Sequence, residues 1–95
     1  MNYGFLGCGR MATALASGML KGRKPGSRIF VYDRVPVAME ALVENVAAIP
    51  MASAAQLASR ADVLLLCVKP KDAPDALREL ADALDDIMSD LYDNL

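Results

Sequence analysis

Histidine and tryptophan are absent from this chain, cysteine occurs only twice, and aromatic residues make up 5% of it. Without histidine there is no Ser-His-Asp or Cys-His nucleophile pair, and no zinc site of the mixed Cys/His kind. The two cysteines, Cys8 and Cys67, lie far apart in sequence, have no metal-ligand spacing and read as reduced thiols. No block of Lys or Arg occurs and the formal net charge is −2, so nothing draws the whole chain to nucleic acid or to an anionic membrane surface. Long hydrophobic runs are missing too: the main apolar run of the C-terminal half covers residues 63–68, far short of the roughly 20 residues a bilayer helix needs. The opening residues lack the basic segment, apolar stretch and cleavage site of a secretory signal, which makes a cytoplasmic location the expectation.

What remains is a chain of 95 residues, the size of one small domain, with 55% apolar residues dominated by Ala, Leu, Val and Met. That profile suits buried parallel strands and helix faces. Residues 2–6 read as a short buried strand that runs directly into glycines. Residues 11–20 read as a helix with Met11, Leu15 and Met19 on one stripe, and Gly22, Pro25 and Gly26 mark the loop that ends it. Arg28–Tyr32 is a second strand, rich in β-branched and aromatic residues. Pro36 fits the first turn of a helix whose apolar face is Met39, Leu42, Val43 and Val46. Residues 46–49 form a weak third strand ending at Pro50. Ser53 caps a short helix through Ser59, with Gln56 as its capping-box partner.

Residues 63–68 are apolar without alternation, as in a strand covered on both faces. From Lys71 or Asp72 a last helix carries Leu77, Leu80, Leu84, Ile87, Met88, Leu91 and Leu95 on one stripe, and Asp82, Asp85, Asp86, Asp90 and Asp93 on a solvated opposite face. Strand and helix therefore alternate four times. Such alternation predicts an α/β fold of three layers: the N-terminal half of a Rossmann-like doubly wound parallel sheet, with right-handed crossovers.

The strongest chemical signal is Gly7-Cys8-Gly9-Arg10-Met11-Ala12, which fits G-x-G-x-x-G/A between a strand and a helix. Gly7 permits the tight turn, Gly9 lets a pyrophosphate approach the backbone, and Ala12 lets the helix pack closely on the strand. The helix N-terminus supplies free N–H groups and partial positive charge. Asp33 stands 21 residues beyond Ala12, at the end of the second strand, where a carboxylate binds the ribose of a dinucleotide. Arg34 beside it points the other way, because a guanidinium stacks on adenine and clamps a 2′-phosphate. With both present the preference stays open, with NADP(H) favoured over NAD(H). The fourth strand ends in Cys67-Val68-Lys69-Pro70, which the fold sets beside the glycine turn. On its own, Lys69 reads as a solvated loop cation.

Residues 4–12, the Tyr32-Asp33-Arg34 strand end, and Ala61-Asp62-Val63 leading to Val68-Lys69-Pro70 together resemble pyrroline-5-carboxylate reductase, over roughly residues 2–88. The Val-Lys-Pro corner at this distance is the more specific part. The resemblance implies reduction of the cyclic imine Δ1-pyrroline-5-carboxylate to L-proline with hydride from NAD(P)H. It implies that Leu6, Gly7, Cys8, Gly9, Arg10 and Met11 bind the pyrophosphate, Arg34 the adenosine end, and Cys67, Val68, Lys69 and Pro70 the nicotinamide ribose. Cys8 stands where the family usually has a small residue such as Ala.

In the family the chain continues through further strands into a helical domain that forms the dimer and holds the substrate. Residues 89–95 do not lead into the family's next strand. The expectation is a single cofactor domain over residues 1–95 that catalyses little alone, engages the imine only with a helical domain, and self-associates through an uncovered fourth strand or the last helix stripe. Two alternatives stay beside this: the cofactor domain of another reductase, of the F420-dependent or β-hydroxyacid dehydrogenase type, and a non-catalytic nucleotide- or partner-binding module.

Overall fold

The computed structural model describes residues 1–22 and 27–93. Its elements follow the order β1 (Asn2–Leu6), α1 (Arg10–Gly22), β2 (Arg28–Tyr32), α2 (Pro36–Val46), β3 (Ile49–Pro50), α3 (Ala54–Arg60), β4 (Val63–Leu66), a 3₁₀ turn (Pro70–Asp72) and α4 (Ala73–Asp93). The strands form one parallel sheet in the order β3-β2-β1-β4. The fold is the Rossmann-like α/β arrangement. Pro25 and Gly26, expected in the loop before β2, and Leu95, expected on the last stripe, lie outside the described residues.

Helices cover both faces. Phe5, Ile29 and Val31 on one face pack with Ala12, Ala16, Leu42 and Val46 of α1 and α2. Leu6 and Phe30 on the other face pack with Ala54, Leu57 and Ala76 of α3 and α4. Gly4 makes the second layer possible: a Cβ there would sit 2.7 Å from the Ala61 Cβ and 3.1 Å from Leu57 and Leu64 side chains. The Asp62 carboxylate accepts from the Asn2 N–H at 2.7 Å and the Asp62 N–H donates to the Asn2 carbonyl at 2.8 Å, fixing where β4 enters against β1. At α3, Ser53 Oγ accepts from the Gln56 N–H as expected, whereas the Gln56 side chain reaches the Ala52 N–H, one residue before the cap.

Four expectations are corrected. The inward face of α1 is Ala12 and Ala16, both 0% exposed, while Met11 and Leu15 are 66% and 42% exposed. Small side chains, not the large ones, are what α1 buries against the sheet, and of the expected stripe only Met19 packs on the core. On α4, which packs on α3, Ala76, Leu80 and Ala83 face inward, and Leu77, Leu84 and Met88 face out. The side chains of Ile87 and Leu91 on that stripe, and of Asp86, Asp90 and Asp93 opposite it, lie outside the description.

β3 is shorter and later than residues 46–49, because α2 runs through Val46 and Ala47 ends it in the left-handed conformation at φ 55°. β4 is the edge of the sheet as expected, but it covers Val63–Leu66 and not residues 63–68, and Val63 and Leu66 remain 37% and 38% exposed where cover on both faces was expected.

Candidate functional site

A cleft of about 320 Å³ opens at the carboxyl ends of β1, β2 and β4. Its floor is the turn after β1. Gly7 has φ +97°, and a Cβ on it would lie 2.7 Å from the Cys67 carbonyl oxygen and 2.8 Å from Val68 Cγ1. The turn from β1 and the chain leaving β4 are thus in backbone contact, as adjacent parallel strands require. The ladder carries this contact past the strand ends, with the Gly7 N–H on the Tyr32 carbonyl at 2.9 Å and the Cys67 N–H on the Leu6 carbonyl at 2.8 Å.

Gly9 faces open space, with no atom within 4 Å of where its Cβ would be. The first intrahelical bond of α1 runs from the Thr13 N–H to the Gly9 carbonyl. The N–H groups of the turn before it have no acceptor inside the helix, and α1 carries no acidic residue in its first turn to compete for them.

Asp33 ties this floor to the β2 wall. Its Oδ2 accepts from the Cys8 N–H and its Oδ1 from the Val35 N–H, both at 2.9 Å. Both carboxylate oxygens therefore hold backbone. Arg34 projects from the next position, and its Nε lies 3.7 Å from Glu79 Oε2 on α4. Among the side chains lining the cleft, Arg34, Lys69 and Lys71 balance Asp33, Asp72 and Glu79. Net side-chain charge therefore gives little general pull on an anion, and attraction for a phosphate falls to the directed N–H groups and dipole of α1.

Of the residues singled out in the sequence, Leu6, Gly7, Gly9, Asp33, Arg34, Cys67, Val68 and Lys69 line this cleft together. Cys8, Arg10, Met11, Ala12 and Pro70 do not. Cys8 turns its thiol into the core beneath α1 and is 7% exposed. Burial first, then the Asp33 carboxylate and the neighbouring Cys67, push that thiol from 9.0 up to about 12. Burial also raises the Cys67 thiol. Both cysteines are free.

Ala12 is buried where the helix meets the sheet, Arg10 and Met11 are exposed at the helix start, and Pro70 opens the 3₁₀ turn. Tyr32, Val35, Lys71, Asp72, Ala76 and Glu79 also line the cleft, and sequence reasoning did not pick them. Their available signal was the spacing of 72, 76 and 79 on one helical face just after the Val-Lys-Pro corner. Among the described residues there is no group of acidic, Cys or His side chains able to hold a metal, and no helix is long and apolar enough to cross a membrane.

Residues 2–88 match the family described as NADP oxidoreductase, coenzyme F420-dependent. The chain belongs to this family. A curated pyrroline-5-carboxylate reductase from Corynebacterium melassecola is 32% identical over 80 residues, which cover 84% of this chain and 30% of that protein. The domain therefore spans about 30% of the length of that relative.

The structure of Plasmodium falciparum pyrroline carboxylate reductase with NADP bound is similar at a TM-score of 0.69 and 26% identity, over 90% of this chain and 30% of that one. A Myxococcus stipitatus imine reductase in complex with NADP+ shares the fold at a TM-score of 0.70 and 22% identity, over 88% and 29% of the two chains. A variant of the same enzyme was solved with NAD+. The sequence resemblance to pyrroline-5-carboxylate reductase is met by two of these relatives.

Proposed function

We propose that this domain binds NADP(H), ahead of NAD(H), for a cytoplasmic reductase that converts Δ1-pyrroline-5-carboxylate to L-proline. The observation that carries the reading is the contact between Gly7 and the Cys67–Val68 segment, which joins an open glycine turn to Val68 and Lys69 in one cleft. The residues fit a dinucleotide. The bare Gly9 backbone and the free N–H groups at the start of α1 receive the pyrophosphate. The β2 end, with Arg34, receives the adenosine. Cys67 to Pro70 flank the nicotinamide ribose, and Asp33 holds the turn in shape. The cofactor, when bound, supplies the hydride.

Transfer needs the imine carbon held at about 3–3.5 Å from the nicotinamide. Among the described residues nothing in the cleft forms a substrate-carboxylate clamp, so engagement of the imine is assigned to a helical domain working with residues 1–95. A second reading, the cofactor domain of an F420-dependent NADP reductase, is supported by the description of the matched family.

Calorimetric titration with NADPH and NADH tests the binding, and saturable heat with both is expected. A folded sample silent to millimolar levels of either would end the proposal. NADPH oxidation dependent on pyrroline-5-carboxylate, measured after adding the helical domain of a pyrroline-5-carboxylate reductase, separates the two readings. Oxidation dependent on F420 instead would favour the second.

A further inference from the structure

Across the mouth of the cleft runs an ion pair that neither the glycine turn nor the Val-Lys-Pro corner requires. Arg34 comes from the connection after β2 and Glu79 from the second turn of α4, so the pair joins opposite walls. Its two side chains are 59% and 34% exposed, and both line the cleft. Asp33, the neighbouring charge, is committed through both oxygens to the Cys8 and Val35 N–H groups. At the β2 end, where the adenosine ribose lies in a doubly wound sheet, Asp33 is thus held in place, and Arg34 with its partner is the charge free to meet or leave a 2′-phosphate.

We propose that Glu79 sets the cofactor discrimination of this cleft by holding Arg34. This rests on the dinucleotide reading above. A 2′-phosphate must take Arg34 from a carboxylate already beside it and must also tolerate that carboxylate's charge. A 2′-hydroxyl faces neither cost. Glu79 thereby narrows the advantage that Arg34 alone gives NADP(H) over NAD(H). An exposed ion pair of this kind has a modest effect, and its release should be worth about fivefold in affinity.

The test is calorimetry of NADPH and NADH on the full chain, with Glu79→Gln, Arg34→Ala and the double variant. Glu79→Gln should tighten NADPH about fivefold and leave NADH unchanged. In the Arg34→Ala background the same change should have little effect, because the contribution passes through Arg34. An NADPH-to-NADH ratio unmoved by Glu79→Gln would overturn the proposal. So would a gain that persists in full without Arg34, since Glu79 would then act on the phosphate directly. Absence of binding by either nucleotide to the unmodified chain would instead overturn the dinucleotide reading itself. Thermal melts of the variants check that each is folded.

Discussion

At Gly7 two independent constraints coincide: a left-handed backbone and a neighbouring carbonyl where a side chain would begin. Gly7→Ala should therefore cost about 2–3 kcal/mol through strain and backbone displacement and remove dinucleotide binding. Urea unfolding and calorimetry check the two effects. Unchanged binding in the variant would contradict the assignment of this turn as the cofactor floor.

Cys8 sits one residue further on, with a thiol that keeps its proton to about pH 12 instead of 9.0. Below pH 9 folded and unfolded chains both hold that proton, so this group adds no pH dependence. Between the two values only the unfolded chain releases it, so rising pH favours unfolding by up to about 1.4 kcal/mol per unit. The urea midpoint should fall from pH 9 to 11, and Cys8→Ala should flatten part of that slope, the raised Cys67 thiol contributing in the same direction. A slope unaltered by the substitution would assign the loss to other groups.

At the level of elements, the strand–helix alternation, the glycine turn, the Pro36 start of α2 and the Ser53 cap were legible, because each follows from local backbone chemistry. The inward faces of α1 and α4 were not. Periodicity locates an apolar stripe, but packing against the sheet and the neighbouring helices decides which of its members face inward. On α1 the fully buried members are Ala12 and Ala16, and on α4 Ala76 and Ala83 lie buried beside Leu80. Ala16→Leu should accordingly destabilise by about 1–3 kcal/mol through overpacking, while Leu15→Ser one position earlier should stay within about 0.5 kcal/mol. Chemical denaturation of both variants decides it, and the reverse ranking would restore the Met11-Leu15 stripe as the core face. The part played by Glu79 was hidden for a related reason. It depends on the angle at which α4 leaves the 3₁₀ turn, a property of packing that no local motif encodes.

For the molecule as a whole, β4 is an uncovered apolar edge, and the exposed Leu77, Leu84 and Met88 of α4 add to the apolar surface of the domain. Unpaired edges of this kind invite strand addition. The domain should self-associate at high concentration, and Leu66→Lys should reduce this. Light scattering showing a clean monomer before any substitution would contradict the expectation.

The strand order has a temporal side as well. β1 leaves the ribosome before β4, yet β4 is its partner on one flank, and the Asn2–Asp62 bond spans 60 residues. During synthesis the middle of the sheet must wait, half paired, until β4 has emerged. A nascent chain halted before Asp62 would carry Tyr3, Phe5 and Leu6 without their second neighbour, the condition under which a chaperone that binds apolar segments would find it.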